Sequence, residues 1–449
     1  MKIIYMCAYP DISKGGDSRV AWELARYMAS NTDNDVWMVC ADSNFGIKKD
    51  RIEPNLSVYS IKSTEVIEGV NIFSPDVRKI NHVYRIFDEL KPDIVHAHNV
   101  DPLSFVVQAW CMKNTVPFIY TGHLLATKYA EWQNFDFGLA LKSIINVSID
   151  VYTKRYYKNC SKIICLNEFA RADFESYTHD PEKLVVIPNG HIFRDTPKHC
   201  TLSDDKYRLL FPGYISERKN QLFLIDMMRF LHTDKKVELL FAGTFLNDKY
   251  KEKVMKAIKN FPENREVKFL GYVEHEKLLE MYSDIHYFVS SALTEVQSLA
   301  VIESLASGTP VIGLENTTTT ELVKNDYNGY LLNAKSTPEE FAQIVSKYLN
   351  ITQGKYEKLS ENARKSVGFL EYSKISQRYI DFYSNLIAYP VDERRKMMGI
   401  KEVIDFFKID NMEEKGKKYE NNIFLVVVSS IVLIALAFVG IANKVKKDK

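Results

Sequence analysis

Short apolar runs alternate with longer stretches of mixed spacing along most of the chain. Runs at 2–8, 35–40, 94–96, 117–120, 162–166 and 184–187 are nearly continuous in apolar residues. That is the pattern of parallel strands covered on both faces. Between them lie amphipathic stretches such as 18–30, which read as helices. Strand–helix alternation of this kind predicts a parallel sheet with helices on both sides. Pro188-Asn189-Gly190 breaks the pattern, and a polar stretch containing Pro197 follows. The alternation then restarts. Strands are expected at 208–211, 237–241, 267–269, 286–289, 310–312 and 329–331, and helices at 220–231, 250–260, 275–282, 298–306 and 338–349. The domain reading is a Rossmann-like domain at 1–190, a linker at 191–206, a second Rossmann-like domain at 207–371 and a helix at 372–388.

Beyond these comes a charged juxtamembrane segment, 389–422, and then a different pattern. Residues 423–442 form an uncharged 20-residue stretch in which 14 residues are Ile, Leu, Val or Phe. Twenty helical residues match the roughly 30 Å hydrocarbon thickness of a bilayer. Insertion is worth roughly −4 to −8 kcal/mol before corrections for its serines and glycine. The stretch therefore predicts a C-terminal transmembrane helix, followed by a basic tail, 443–449. Lys444, Lys446, Lys447 and Lys449 in that tail would place the body outside by the positive-inside rule. The N-terminus lacks the long apolar core of a secretory leader, which places the body in the cytoplasm. The cytoplasmic orientation is the one expected here.

Composition narrows the function classes. The 449 residues carry 59 Lys+Arg against 58 Asp+Glu, a net charge of +1. A dedicated nucleic-acid binder would need a basic excess. Aromatic residues make up 12%, too many for a largely disordered chain. Six cysteines without a CxxC pair argue against a disulfide framework and a structural zinc, and for a reducing compartment.

Three loops carry candidate chemistry. Gly15-Gly16 follows the first strand and opens a helix, where backbone amides can approach an anion. The spacing is not the dinucleotide fingerprint, and taken alone a plain turn is the more economical reading. The second loop, Gly213 to Asn220, also joins strand to helix. It sets Arg218 and Lys219 side by side, a fork and a point charge suited to a diphosphate. In the third, Glu295 ends a loop after a strand, Ser298 is placed to cap the next helix, and Glu303 lies among Leu299, Val301, Ile302, Leu305 and Ala306. A carboxylate in such surroundings needs a partner, and a pair of ligand hydroxyls is one.

Taken together, and in this order, the motifs resemble family 4 of the retaining glycosyltransferases. The resemblance spans residues 1 to about 388. It rests on Gly15-Gly16, Val95-His96-Ala97-His98-Asn99, Thr121-Gly122-His123, Ile187-Pro188-Asn189-Gly190, Gly213 to Asn220, and Glu295 with Glu303 eight residues on, followed by Gly308-Thr309-Pro310-Val311. It implies the α/β GT-B fold: two facing Rossmann-like, doubly wound domains with the active site between them. It also implies roles. Lys219 would bind the donor diphosphate, with Arg218 beside it. Glu295 would contact the donor sugar near the reacting carbon, and Glu303 would hold the nucleotide ribose. The amides of Ser298 and Leu299 would bind phosphate. His123 would face the donor sugar, Gly15 and Gly16 would let the first loop close on the phosphates, and the helix at 372–388 would return to the first domain.

Two departures from the family pattern stand out. Tyr214 occupies the place where the family usually has Arg, and Arg218 can supply that charge instead. Val296 and Ser298 stand where glycines are common, in the loop nearest the sugar. His96 and His98 have metal-ligand spacing but no further ligands nearby in sequence, and Asp33-Asn34-Asp35 lies on an expected surface turn, so neither is read as a metal site. Residues 139–158, basic with interleaved tyrosines, suit either an anionic lipid surface or an ordinary surface helix. The expected activity is transfer of a sugar, with retention, from a nucleotide-sugar to a lipid, lipid-linked or cell-envelope glycan at a membrane, with no metal or other cofactor. The alternatives are a membrane-anchored sugar-nucleotide-binding scaffold and a sugar-nucleotide epimerase of the same fold.

Overall fold

The computed structural model describes residues 1–8, 15–42, 48–67, 70–73, 75–128, 150–194, 200–259 and 261–388. The expected juxtamembrane segment 389–422, the span 423–442 and the tail 443–449 lie outside the described residues, as do 139–149 of the basic stretch and 195–199 of the linker. No helix among the described residues is long and apolar enough to cross a membrane.

The fold is α/β and GT-B-like, with two Rossmann-like domains. The described residues divide into two compact units, one of Met1 to Ile187 with Ser376 to Ala388, the other Pro188–Ile375. In the first unit the apolar runs become β1 (Lys2–Cys7), β2 (Asp35–Asp42), β7 (Ile94–Ala97), β8 (Phe118–Gly122), β9 (Lys162–Cys165) and β10 (Leu184–Val186). The hairpin partners β3 (Lys48–Glu53) and β4 (Leu56–Lys62) complete an eight-stranded sheet in the order 10-9-8-7-1-2-4-3. All neighbours are parallel except β3 on β4. A small hairpin, β5 (Thr64–Ile67) and β6 (Val70–Ile72), stands apart. Ile3, Ile4, Val36, Val39, Ile94 and Ile119 are wholly buried, as residues of a sheet covered on both faces should be.

Helix boundaries follow local chemistry. Helix α1 (Gly16–Asn31) begins at Gly15, whose φ of 136° only glycine adopts readily. The helix at Val77–Leu90 is capped by the Asp76 carboxylate, which accepts from the Lys79 amide, and Pro102–Lys113 by a capping box of Asp101 with Ser104.

The second unit holds β11 (Lys206–Pro212), β12 (Lys236–Ala242), β13 (Arg265–Gly271), β14 (Tyr287–Ser290), β15 (Val311–Leu314) and β16 (Gly329–Leu332). They form one parallel sheet in the order 13-12-11-14-15-16. This is the doubly wound order, whose direction of winding reverses between β11 and β14. The loops after those two strands carry Lys219 and Glu295. The helix expected at 220–231 is shorter than that: its regular part is Gln221–Met227, with a 3-10 turn at Met228–Phe230. The helix Tyr372–Ala388 begins in the second unit and ends in the first.

Candidate active site

Two tight approaches shape the loop after β11. Gly213 has φ 125°, and a Cβ there would lie 3.4 Å from Lys219 Cε. A Cβ on Gly243 would meet the Gly213 carbonyl oxygen at 2.1 Å, so the contact between the loops after β11 and β12 needs glycine at 243, while Gly213 is called for by its positive φ. The chain then turns through Asn220, in the left-handed region at φ 55°, into the next helix. The loop after β14 is tied to this one. The Ser291 hydroxyl donates to the carbonyls of Lys219 (3.1 Å) and Asn220 (2.8 Å), and the Leu293 amide donates to the Arg218 carbonyl at 3.0 Å.

These ties bring three of the expected site residues together. Lys219 Nζ is 2.6 Å from Glu295 Oε1, and Arg218 Nη1 is 2.9 Å from the same oxygen. Arg218 Nη1 also donates to the Thr294 carbonyl at 2.8 Å. The Lys219 ammonium lies 5.7 Å from the centre of the Phe211 ring, a cation–π contact. Burial disfavours the Glu295 charge, but Lys219 and Arg218 outweigh it and hold the carboxyl below its usual range. Two cations share this carboxylate. Tyr214 is half exposed, with its carbonyl accepting from Gln221 Nε2 at 3.0 Å, and Arg218 is the second cation of the loop.

Glu303 sits in the helix Leu299–Ala306 and is 1% exposed. Its oxygens have protein partners that the sequence reading missed. His275 Nε2 is 3.0 Å from Oε1, and the Tyr282 hydroxyl donates to Oε2 at 3.3 Å. Both come from the helix His275–Asp284, two turns apart on one face, a spacing visible in the sequence once Glu303 is suspected.

Ser298 departs from expectation. It precedes the helix, but its side chain makes no capping bond. Its amide donates to Thr318 Oγ1 at 2.9 Å and is therefore already engaged. The residue before it, Gln297, accepts from the Asn189 amide at 2.7 Å, which explains a glutamine buried beside the Glu295 loop.

In the first unit, Gly15 and Gly16 open α1, and a Cβ on Gly16 would meet nothing within 4 Å. His96 and His98 do not pair as metal ligands would. His96 is spanned by Tyr383 OH at Nδ1 and Thr121 Oγ1 at Nε2, both at 2.6 Å. His98 Nδ1 instead meets His123 Nε2 at 2.9 Å. Burial pushes the His96 ring down to about 3 and His98 well below its usual value, with neighbouring histidines adding to both shifts. Burial likewise pushes His123 down to about 4, with Asp17 opposing.

Comparison with known families now bears on this geometry. Residues 14–191 match the family Glycosyltransferase Family 4, and residues 194–366 match Glycosyl transferases group 1. The chain is a glycosyltransferase. Among relatives of this glycosyltransferase, the alpha-monoglucosyldiacylglycerol synthase of Streptococcus pneumoniae is 27% identical over 272 residues, 57% of this chain. The match spans 59% of that protein's own length. The UDP-Gal:alpha-D-GlcNAc-diphosphoundecaprenol alpha-1,3-galactosyltransferase of Escherichia coli is 23% identical over 79% of this chain and 91% of its own. Among solved structures, Anabaena HepE in complex with UDP-glucose aligns with a TM-score of 0.65 at 18% identity, over 86% of the glycosyltransferase and 100% of HepE. That last likeness establishes the shared fold.

Proposed function

We propose that this glycosyltransferase moves a hexose from a uridine-diphosphate sugar to a hydroxyl of a lipid or lipid-linked glycan, with retention at the anomeric carbon. The observation that carries the reading is the Lys219–Arg218–Glu295 cluster at the winding reversal of the second sheet. In the reaction the bond from the anomeric carbon to the diphosphate breaks, and its electron pair leaves with the phosphate. Positive charge builds on the sugar ring, the acceptor oxygen bonds to the anomeric carbon on the face the diphosphate leaves, and the acceptor proton passes to the departing phosphate oxygen. Lys219 and Arg218 neutralise the departing diphosphate, so Glu295 is released from full pairing and its carboxylate stabilises the ring charge. Glu303, oriented by His275 and Tyr282, holds the ribose hydroxyls. The Leu299 amide and the Gly15-Gly16 turn contribute backbone donors to the phosphates, and His123 meets the sugar. No metal is needed for charge neutralisation in this scheme.

Several observations support the finer points. The two relatives act, by their names, on a diacylglycerol lipid and a diphosphoundecaprenol lipid, and the second uses UDP-Gal. Both names specify α linkages, the configuration that common UDP-hexoses carry, which favours retention. The apolar stretch 423–442 supports a membrane-anchored protein. All six cysteines are free thiols, as in a reducing cytoplasm, and we place the catalytic body there.

The test is a thermal-shift panel of nucleotide sugars on the purified chain. A donor at 100 times its Kd adds about 2.7 kcal/mol of stability. UDP-hexoses should raise Tm, and NMR of the transferred sugar should show an α linkage. Stabilisation by other nucleotides alone, or a β product, overturns the reading.

A further inference from the structure

His98 and His123 follow adjacent strands, β7 and β8, at their C-terminal ends. The His98 backbone is fixed by its amide, which donates to the Met6 carbonyl on β1 at 2.9 Å. Its ring is 1% exposed, 4.4 Å from the His96 ring and 5.2 Å from the His123 ring, with Tyr5 at 6.2 Å. Its Nδ1 meets His123 Nε2 at 2.9 Å, while its Nε2 is buried without a partner among the described residues. The His123 ring is half-buried, and its Nδ1 has no partner among the described residues.

Two neutral rings joined by one hydrogen bond allow two proton arrangements. If His123 donated, the His98 proton would sit on Nε2, an N–H buried with nothing to accept it. If His98 donates from Nδ1, the orphan Nε2 is a bare lone pair. Buried N–H groups without acceptors are the rarer and costlier defect. The second arrangement also decides His123: its Nε2 accepts, so its proton must be on Nδ1.

We propose that His98 is a positioning residue for sugar transfer: it donates from Nδ1 to His123 and so fixes His123 in the tautomer that presents Nδ1–H to the donor sugar. This rests on the reading that His123 meets that sugar. His123 is then a hydrogen-bond donor to a sugar oxygen and not the base that takes the acceptor proton. Burial holds both rings neutral at pH 7, with His96 adding to the shift of His98 and the more distant Asp17 opposing that of His123; Tyr5 packs against the His98 ring. The arrangement resembles in logic an orienting side chain that fixes the tautomer of a reacting histidine.

The direct readout is the ¹⁵N spectrum of the full chain labelled at histidine, with His123 assigned by comparison with His123→Gln. A protonated Nδ1 and a bare Nε2 are expected, and the reverse tautomer overturns the proposal. Kinetics with the stabilising UDP-hexose give a second test. His98→Phe keeps the ring but loses the bond, and should lower kcat about tenfold or more with donor KM changed less than about threefold. His98→Asn can place an amide near the Nδ1 position and should restore most of kcat. In a His123→Ala background, His98→Phe should cost less than about twofold, since the two act as a unit. A full further loss in that background, or no rescue by His98→Asn, overturns the proposal. Should His98→Phe fail to fold, the spectrum and His98→Asn still decide. An impaired His123→Ala beside an unimpaired His98→Phe overturns the tautomer role alone. Wild-type turnover by His123→Ala overturns the donor-sugar reading with it.

Discussion

Lys219 Nζ lies 2.6 Å from Glu295 Oε1, so in the free site the residue assigned to the diphosphate and the residue assigned to the sugar neutralise each other. Burial alone would raise the Glu295 carboxyl, and the two cations hold it below its usual range. Glu295 thus stays ionised down through the ordinary carboxylate region near pH 4. In Lys219→Met the burial effect loses its main opponent, so the acid limb of kcat/KM should move upward in pH, and donor KM should rise about tenfold or more. An acid limb that stays in place would show that Glu295 does not depend on Lys219.

The buried histidines of the first unit give stability a pH dependence of opposite origin. His96, His98 and His123 are held neutral, with His96 near 3 and His123 near 4. Below about pH 6.5 the unfolded chain binds protons at these rings that the folded chain refuses, so stability falls as pH drops. Three such groups imply a loss on the order of 4 kcal/mol per pH unit from about pH 6 toward 4. Urea midpoints at pH 7.5, 6 and 5 should show it, and His96→Phe should flatten the slope. A midpoint that is constant across that range contradicts the buried neutral assignment.

Much of this was legible in the sequence, for physical reasons that differ by element. The central strands announced themselves because a strand buried on both faces has to be apolar along its buried length, as residues 3–7 and Val311–Leu314 are. The β3–β4 hairpin did not, because Lys48–Glu53 is an edge strand of mostly charged residues. The helix Gln353–Ser366 was missed because only Tyr356, Leu359, Asn362 and Ala363 of its 14 residues are buried, too thin an apolar stripe to stand out. At the site, the family resemblance implied a shared donor site for Lys219 and Glu295, which the structure brings together. What holds Glu303, Ser298 and Gln297 could not be read, since His275, Thr318 and Asn189 reach them only through tertiary folding.

Removing residues 420–449 should leave a soluble, folded protein, because both sheets lie within residues 2–332. Such a chain should bind UDP-hexose with unchanged affinity and lose efficiency only toward acceptor embedded in vesicles. Failure of the shortened chain to fold would mean that the apolar stretch belongs to a core.

Activity should survive saturating EDTA, because Lys219 and Arg218 carry the diphosphate charge in the proposed scheme. Complete loss, restored by Mg²⁺ or Mn²⁺, would require a metal-held diphosphate instead.

The division of labour between the two glutamates is the centre of the account, and steady-state kinetics of Glu295→Ala beside Glu303→Ala test it most directly. Glu303 contacts are similar in ground and transition states, so Glu303→Ala should mainly raise donor KM, roughly 10- to 100-fold. Glu295 opposes charge that exists only in the transition state, so Glu295→Ala should lower kcat by about 10²-fold or more with a smaller effect on UDP affinity. The account is contradicted if Glu295→Ala weakens UDP binding more than Glu303→Ala does, or if both variants keep the wild-type kcat.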